Sequence, residues 1–142
     1  MDKVQQLFEE YLKIHKRYYQ VSTNAFVPIN ISLTQWNVLK YIHFNQDKLT
    51  VSDLANKAEV RVPTMTETVK HLLDEKILEA ETDAQDKRKK YYHLTPSGEQ
   101  LFEKANDIGL TVQNDLLQDC TEEEIDTTIK VLNSISKRLT HY

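Results

Sequence analysis

The strongest constraint on this chain is a change of rhythm near its middle. Up to about Lys76 the apolar residues recur at helical spacing; from Leu78 onward they alternate. Leu78, Ala80 and Thr82 are separated by Glu79 and Glu81, and Lys90, Tyr92 and Leu94 by Tyr91 and His93. Strict alternation belongs to a strand with one face on a core, so these residues predict a β-hairpin. Thr95, followed by Pro96, supplies the cap and first turn of a new helix. A single ribbon set between helices restricts the chain to a mainly α fold with one small β-hairpin.

The helices can be placed by their apolar stripes and their caps. Val4, Leu7, Phe8, Tyr11, Ile14 and Tyr18 give a long amphipathic helix to about Thr23, which residues 24–31, with Pro28 among them, interrupt. Ser32 with Gln35 three residues later is a capping-box pattern, and Trp36, Leu39 and Ile42 form the buried face of a second helix. Thr50 and Asp53 open a short third helix with Val51, Leu54, Ala55 and Ala58 inward. Pro63 is tolerated only in a first helical turn, so a fourth helix begins near 61–63, carries Met65, Val69 and Leu72 to the core, and ends near Lys76. After the hairpin, Leu101, Phe102, Ala105, Ile108, Val112 and Leu116 line a fifth helix. Thr121 with Glu124 caps a sixth, striped by Ile125, Ile129, Leu132, Ile135 and Leu139.

Composition narrows the function classes. With 142 residues the chain is expected to be one domain, and with only two glycines it offers few places for phosphate-binding loops. The five histidines show no metal-ligand spacing, and Ser97-Gly98 falls in a first helical turn instead of a strand-to-helix elbow. An enzyme is not expected, and neither is a cofactor or a metal. Cys120 cannot form an internal disulfide and is read as a bystander thiol. The N-terminal residues have no apolar signal core and no run in the chain is long enough to span a bilayer, so a cytoplasmic protein is expected.

Two short helices joined by a tight turn, the second followed at once by a hairpin, are the parts of a winged helix-turn-helix. A helix fits the major groove and a two-stranded ribbon can lay its tip on backbone or minor groove. The tip explains an oddity of charge distribution: a chain of net charge -4 sets Lys87, Arg88, Lys89 and Lys90 side by side. Four cations there can contact phosphates and release condensed counterions; the bland alternative is a solvated charged turn. From residue 50 to 95 there are eight Lys or Arg and nine Asp or Glu, so a basic surface requires segregation of the two signs.

At these residues the chain resembles the MarR (multiple antibiotic resistance regulator) family, over nearly its whole length. LTQWNVLKYI (33–42) resembles the family's second helix, LTVSDLANKAEV with PTMTETVKHLLDEKIL its helix-turn-helix, and DKRKKYYHLTPSGEQLF its wing and return. Asp86, Arg88, Leu94, Thr95 and Gly98 fall in the family's D-x-R, L-T and x-x-G pattern. The resemblance implies one MarR-type domain over 1–142. Its winged helix-turn-helix lobe would be 32–95, and dimerisation helices would lie in 1–26 and 96–142. The implied activity is that of a homodimeric regulator, read here as a repressor, that binds a pseudo-palindromic operator in double-stranded DNA and is released by a small phenolic or lipophilic ligand.

Carried over position by position, Arg61, Pro63, Thr64, Thr66, Glu67 and Lys70 would lie nearest the DNA. Arg88 would reach the minor groove, with Lys87, Lys89 and Lys90 on phosphates. Asp86 would orient the turn, by accepting backbone N–H bonds or by pairing with Arg88. Three departures from the family stand out: Ala58 and Glu59 where the turn often has glycine, Arg61 where a capping serine is common, and Glu67 where a basic residue is frequent. The implied ligand site brings His15, Arg17, Tyr18 and Trp36 to a phenolic carboxylate, although residues such as Tyr18 and Trp36 more often serve core packing. The wide apolar stripes of the first, fifth and sixth helices call for a partner copy or an intramolecular bundle. The alternative function is a winged-helix protein-interaction module without sequence-specific DNA binding.

Overall fold

The structure is a computed structural model that describes residues 1–45 and 47–142. Its order is α1 (Lys3–Ala25), a 3-10 turn (Val27–Ile29), α2 (Leu33–Phe44), α3 (Val51–Ala58), α4 (Val62–Asp74), β1 (Leu78–Thr82), β2 (Lys90–Leu94), α5 (Pro96–Leu116) and α6 (Glu122–Leu139). The chain divides into two compact units, Met1–Gly109 and Leu110–Tyr142. Among the described residues no helix is long and apolar enough to cross a membrane.

In the first unit the core forms where α2, α3, α4 and the hairpin meet. Val38, Leu49, Leu54, Ala55, Met65, Val69, Leu72 and Leu78 are buried together there. Each fully buried Leu, Met or Val contributes about 1.5–3 kcal/mol by leaving water. On α2 the fully buried residues are Val38 and Leu39, whereas the expected Trp36 and Ile42 are half-buried. Leu39 and Ile42 of the expected stripe thus meet the core, Ile42 from its edge, and Val38 joins them. The hairpin is antiparallel with Leu78 opposite Leu94, Ala80 opposite Tyr92 and Thr82 opposite Lys90, so the two alternating sets share one face.

Local chemistry starts nearly every helix. Asp2 with Gln5, Ser32 with Gln35, Thr50 with Asp53 and Thr121 with Glu124 each form both halves of a capping box. The first helix runs two residues past the expected Thr23, and Pro28 lies inside the 3-10 turn that follows it. Two helices end in a left-handed residue. Glu59 (φ 53°) closes α3 and Lys76 (φ 60°) follows α4. At the end of α4 the Lys76 and Ile77 amides donate to Leu73 O and Leu72 O, the paired bonds of a Schellman motif.

The start of α5 is fastened to the end of α4. The Thr95 hydroxyl donates to Lys76 O (2.6 Å) and Ile77 O (3.2 Å), and accepts from the Gly98 amide (3.0 Å). Thr95 N–H also donates to Ile77 O at 3.1 Å. Gly98 is required by closeness: a Cβ built on it would lie 2.2 Å from Ile77 O.

The apolar stripe of α1 buries nothing fully, and Val4 (66% exposed), Phe8 (47%) and Tyr11 (48%) stand open. In the second unit α6 likewise has no buried residue, and Ile129, Leu132 and Leu139 are exposed.

Candidate nucleic-acid interface

The helix-turn-helix is built from α3, the turn at Glu59 to Arg61, and α4. The Glu59 and Val60 amides close α3 on Asn56 O and Ala55 O, and the Tyr41 hydroxyl donates to Lys57 O (3.0 Å), tying α2 to the end of α3. With Met65, Val69 and Leu72 fixed in the core, helical spacing sends Pro63, Thr66, Glu67 and Lys70 to the opposite side. All four are exposed, as are Arg61 and Thr64. Arg61 occupies the N-cap position without a side-chain cap bond, which makes α4 the one helix of the lobe with no capping side chain among the described residues. The Thr66 hydroxyl donates to Val62 O at 2.9 Å, leaving oxygen lone pairs and a methyl group to face a partner.

The wing tip is organised by two aspartates. Asp83 Oδ1 accepts from the Gln85 and Asp86 amides, both at 2.9 Å, while its Oδ2 accepts from the Tyr91 hydroxyl at 2.8 Å. The tyrosine hydroxyl first, and then the two amides, hold the Asp83 carboxyl down to about 2. The same bond raises the Tyr91 phenol. Asp86 Oδ1 accepts from the Arg88 amide (3.0 Å) and from Arg88 Nε (3.2 Å), and the amide bond is the larger cause of its lowered carboxyl pKa. Both sequence alternatives for Asp86 therefore hold at once.

The result is segregation of charge within the hairpin. The carboxylates of Asp83 and Asp86 turn inward onto N–H and O–H donors, while Lys87, Arg88, Lys89 and Lys90 are all exposed. Arg88 keeps 92% of its side-chain surface open even while its Nε is pinned. Next to the tip, on β1, Glu81 receives Lys48 Nζ (3.3 Å) on one oxygen and stands 2.7 Å from His93 Nε2 with the other. Asp86 is the expected residue of this group, whereas Asp83, Tyr91 and Glu81 join it only in the folded wing. An aspartate opening a turn, two residues before an amide it can accept from, was the available signal.

Residues 29–89 of the chain match the MarR family. Across 142 aligned residues it is 28% identical to an uncharacterized HTH-type transcriptional regulator of Staphylococcus aureus strain MSSA476, covering 95% of this chain and 93% of that protein. Its structure superposes on Staphylococcus aureus MarR, solved in complex with salicylate and kanamycin, with a TM-score of 0.84 at 25% identity, covering 97% of this chain and 93% of that one. Over residues 29–89, and in its fold, the chain is similar to MarR-family regulators. It is a transcriptional regulator of winged-helix architecture, and MarR-family members are not enzymes. A MarR-family structure that contains DNA, the S. aureus MepR–DNA complex, superposes with a TM-score of 0.78 at 26% identity over 91% of this chain and 93% of that one.

The four residues proposed from the MarR resemblance to hold a ligand have separate surroundings. Trp36 is half-buried between the rings of Phe26 (5.7 Å between centroids) and Phe102 (5.6 Å, stacked). His15 is exposed and stacks on Tyr11 at 6.1 Å; Arg17 is exposed and Tyr18 half-buried. Phe102 also stacks on His43 at 3.7 Å, and His43 Nδ1 lies 2.9 Å from Glu99 Oε2. Trp36 is thus engaged in an aromatic stack joining α2 to α5. Cys120 is exposed.

Proposed function

We propose that this winged-helix regulator is a homodimeric repressor whose α4 and wing bind a pseudo-palindromic operator. Its winged helix-turn-helix lobe would span 32–95, with residues 1–26 and 96–142 forming the dimer. The observation that carries the reading is the wing tip: four exposed cations on a hairpin whose own carboxylates are occupied by internal donors. Cations so arranged contact phosphates without first breaking an internal ion pair, except for the single Nε bond of Arg88. On α4, Thr66 and Lys70 are exposed on one flank of Glu67. The Thr66 oxygen suits a base amino donor, its methyl a thymine methyl, and Lys70 a guanine edge.

The exposed stripes of α1 and α6 support a partner copy, because open apolar area of this extent on long helices is normally covered. A two-fold dimer sets its recognition helices about 34–36 Å apart, one duplex turn. A small phenolic or lipophilic effector near His15, Arg17, Tyr18 and Trp36 would act by population shift, favouring a dimer whose helices are wrongly spaced. A second reading, a winged helix that contacts protein, is favoured by Glu67 on the outer side of α4, where a carboxylate repels phosphate.

Mobility shift on the DNA flanking the chain's own gene separates the two. A bound duplex, with Arg88→Ala lowering affinity on all sequences and reducing the salt slope by about one, supports the first reading. An unchanged slope removes the wing from the interface. Thr66→Ala and Lys70→Ala are expected to change preference among operators; equal losses on every sequence would leave them as phosphate anchors.

A further inference from the structure

We propose that Glu81 is a positioning residue that holds the wing at a fixed pitch against the loop before α3, so that Arg88 is presented to DNA. The inference rests on the reading that the wing touches DNA, and it concerns a residue whose charge alone would oppose that contact.

Hydrogen bonds and one cation–π contact form a continuous path from the lobe to the tip. Lys48, in the loop between α2 and α3, reaches across to β1, where its Nζ lies 3.3 Å from Glu81 Oε1 and 5.3 Å above the Tyr91 ring. Glu81 Oε2 stands 2.7 Å from His93 Nε2 on β2, a diagonal cross-strand pair, since Glu81 is opposite Tyr91 and Glu79 opposite His93. One carboxylate therefore joins the loop and both strands. Tyr91 carries the path onward, its hydroxyl donating to Asp83, whose other oxygen takes the amides of the tip. Asp83 N–H donates to Lys89 O and Lys89 N–H to Asp86 O, closing the loop that bears Arg88.

A two-stranded ribbon held only by its own ladder swings about its root, because it has no neighbouring strand to stiffen it. Here the root is buried at Leu78 and half-buried at Tyr92 and Leu94, and the Lys48–Glu81–His93 contact is the brace beyond it. Glu81 and His93 are each nearly half exposed, so the brace adds little to global stability. Its effect falls on orientation. The lowered pKa of Glu81, caused first by the His93 bond and then by Lys48, agrees with a carboxylate engaged on both oxygens.

The test exploits a conflict of sign. By charge alone, Glu81→Gln removes a negative group near the DNA and should tighten binding. If Glu81 positions the wing, Glu81→Gln weakens binding roughly threefold to tenfold, the scale of one lost contact, and lowers the salt slope by about one. In the Arg88→Ala background it then produces no further loss. Tyr91→Phe, which deletes only the hydroxyl that holds Asp83, should act in the same direction with no change of charge. Limited trypsin digestion reports on the brace without DNA, since the tip carries Lys87, Arg88, Lys89 and Lys90. Both variants are expected to be nicked there several-fold faster than wild type while melting at the same temperature. Binding equal to or tighter than wild type for Glu81→Gln, or a loss that adds fully to that of Arg88→Ala, overturns the proposal, as do unchanged trypsin rates. If the wild-type protein ignores every duplex, the DNA reading fails, and the trypsin rates still decide whether the brace exists.

Discussion

The close approach of Gly98 to the backbone of Ile77 yields a sharp stability prediction. A methyl group at residue 98 would lie 2.2 Å from Ile77 O, 3.2 Å from Ile77 C and 3.3 Å from Leu94 Cβ, and the first of these must open to at least 3.0 Å. The obstacle is a main-chain carbonyl, so the first turn of α5 has to move. Moving it strains the bonds that fasten Thr95: hydroxyl to Lys76 O, amide to Ile77 O, and Gly98 amide to hydroxyl. Three such bonds at roughly 1 kcal/mol each, partly offset by about 1 kcal/mol of better helix propensity for alanine, give Gly98→Ala a loss of about 2 kcal/mol. Residual crowding raises that toward about 4 kcal/mol. At roughly 3 °C per kcal/mol for a chain of this size, Tm falls by about 6–12 °C. Gly109 is the internal control. A Cβ there meets nothing within 4 Å, so Gly109→Ala should raise stability by about 0.5–1 kcal/mol through the helix alone. Thermal and urea unfolding of both variants, followed by far-ultraviolet circular dichroism at one fixed protein concentration, measures the difference. A Gly98→Ala protein that melts at or above wild type would refute the close-contact argument.

Two further outcomes follow from the turns. Glu59 holds φ at 53°, a conformation that glycine adopts without penalty, so Glu59→Gly is expected to raise unfolding free energy by about 1 kcal/mol in urea titrations. Asp83 titrates in the folded protein at about 2 against an ordinary 3.8. Because its pKa is depressed on folding, its contribution to the tip is fully present above about pH 4 and is lost as pH falls toward 2. In a pH series by NMR the Gln85 and Asp86 amide signals should therefore hold their positions to about pH 3 and shift below it. In Asp83→Asn that transition should be absent.

How much of this was legible beforehand depended on the range of the interaction. The capping boxes at Ser32, Thr50 and Thr121 span three residues each, and all three are present with both halves formed. The alternation of Leu78, Ala80 and Thr82 against Lys90, Tyr92 and Leu94 likewise gave the strand faces, because side-chain direction is fixed by a period of two. Trp36 packs inward as expected but stays half-buried, and its partners Phe26 and Phe102 come from segments that helical spacing on α2 cannot foresee. The same limit applies at Thr95 and Gly98. Local pattern identified a cap and a family motif, but the reason for both is the backbone of Ile77, some twenty residues upstream. On the wing, the cationic run was plain in the sequence, whereas the donors that occupy its carboxylates became visible only with the loop folded.

That wing has a thermodynamic consequence. Fixing a disordered loop on contact removes about 1–2 kcal/mol of backbone entropy for every residue ordered. In residues 83–89 the aspartate and main-chain bonds settle that loss when the protein folds. A partner surface thus meets a rigid cationic knuckle and not a searching tail, and differences among partners must show themselves in how well shape and charge fit.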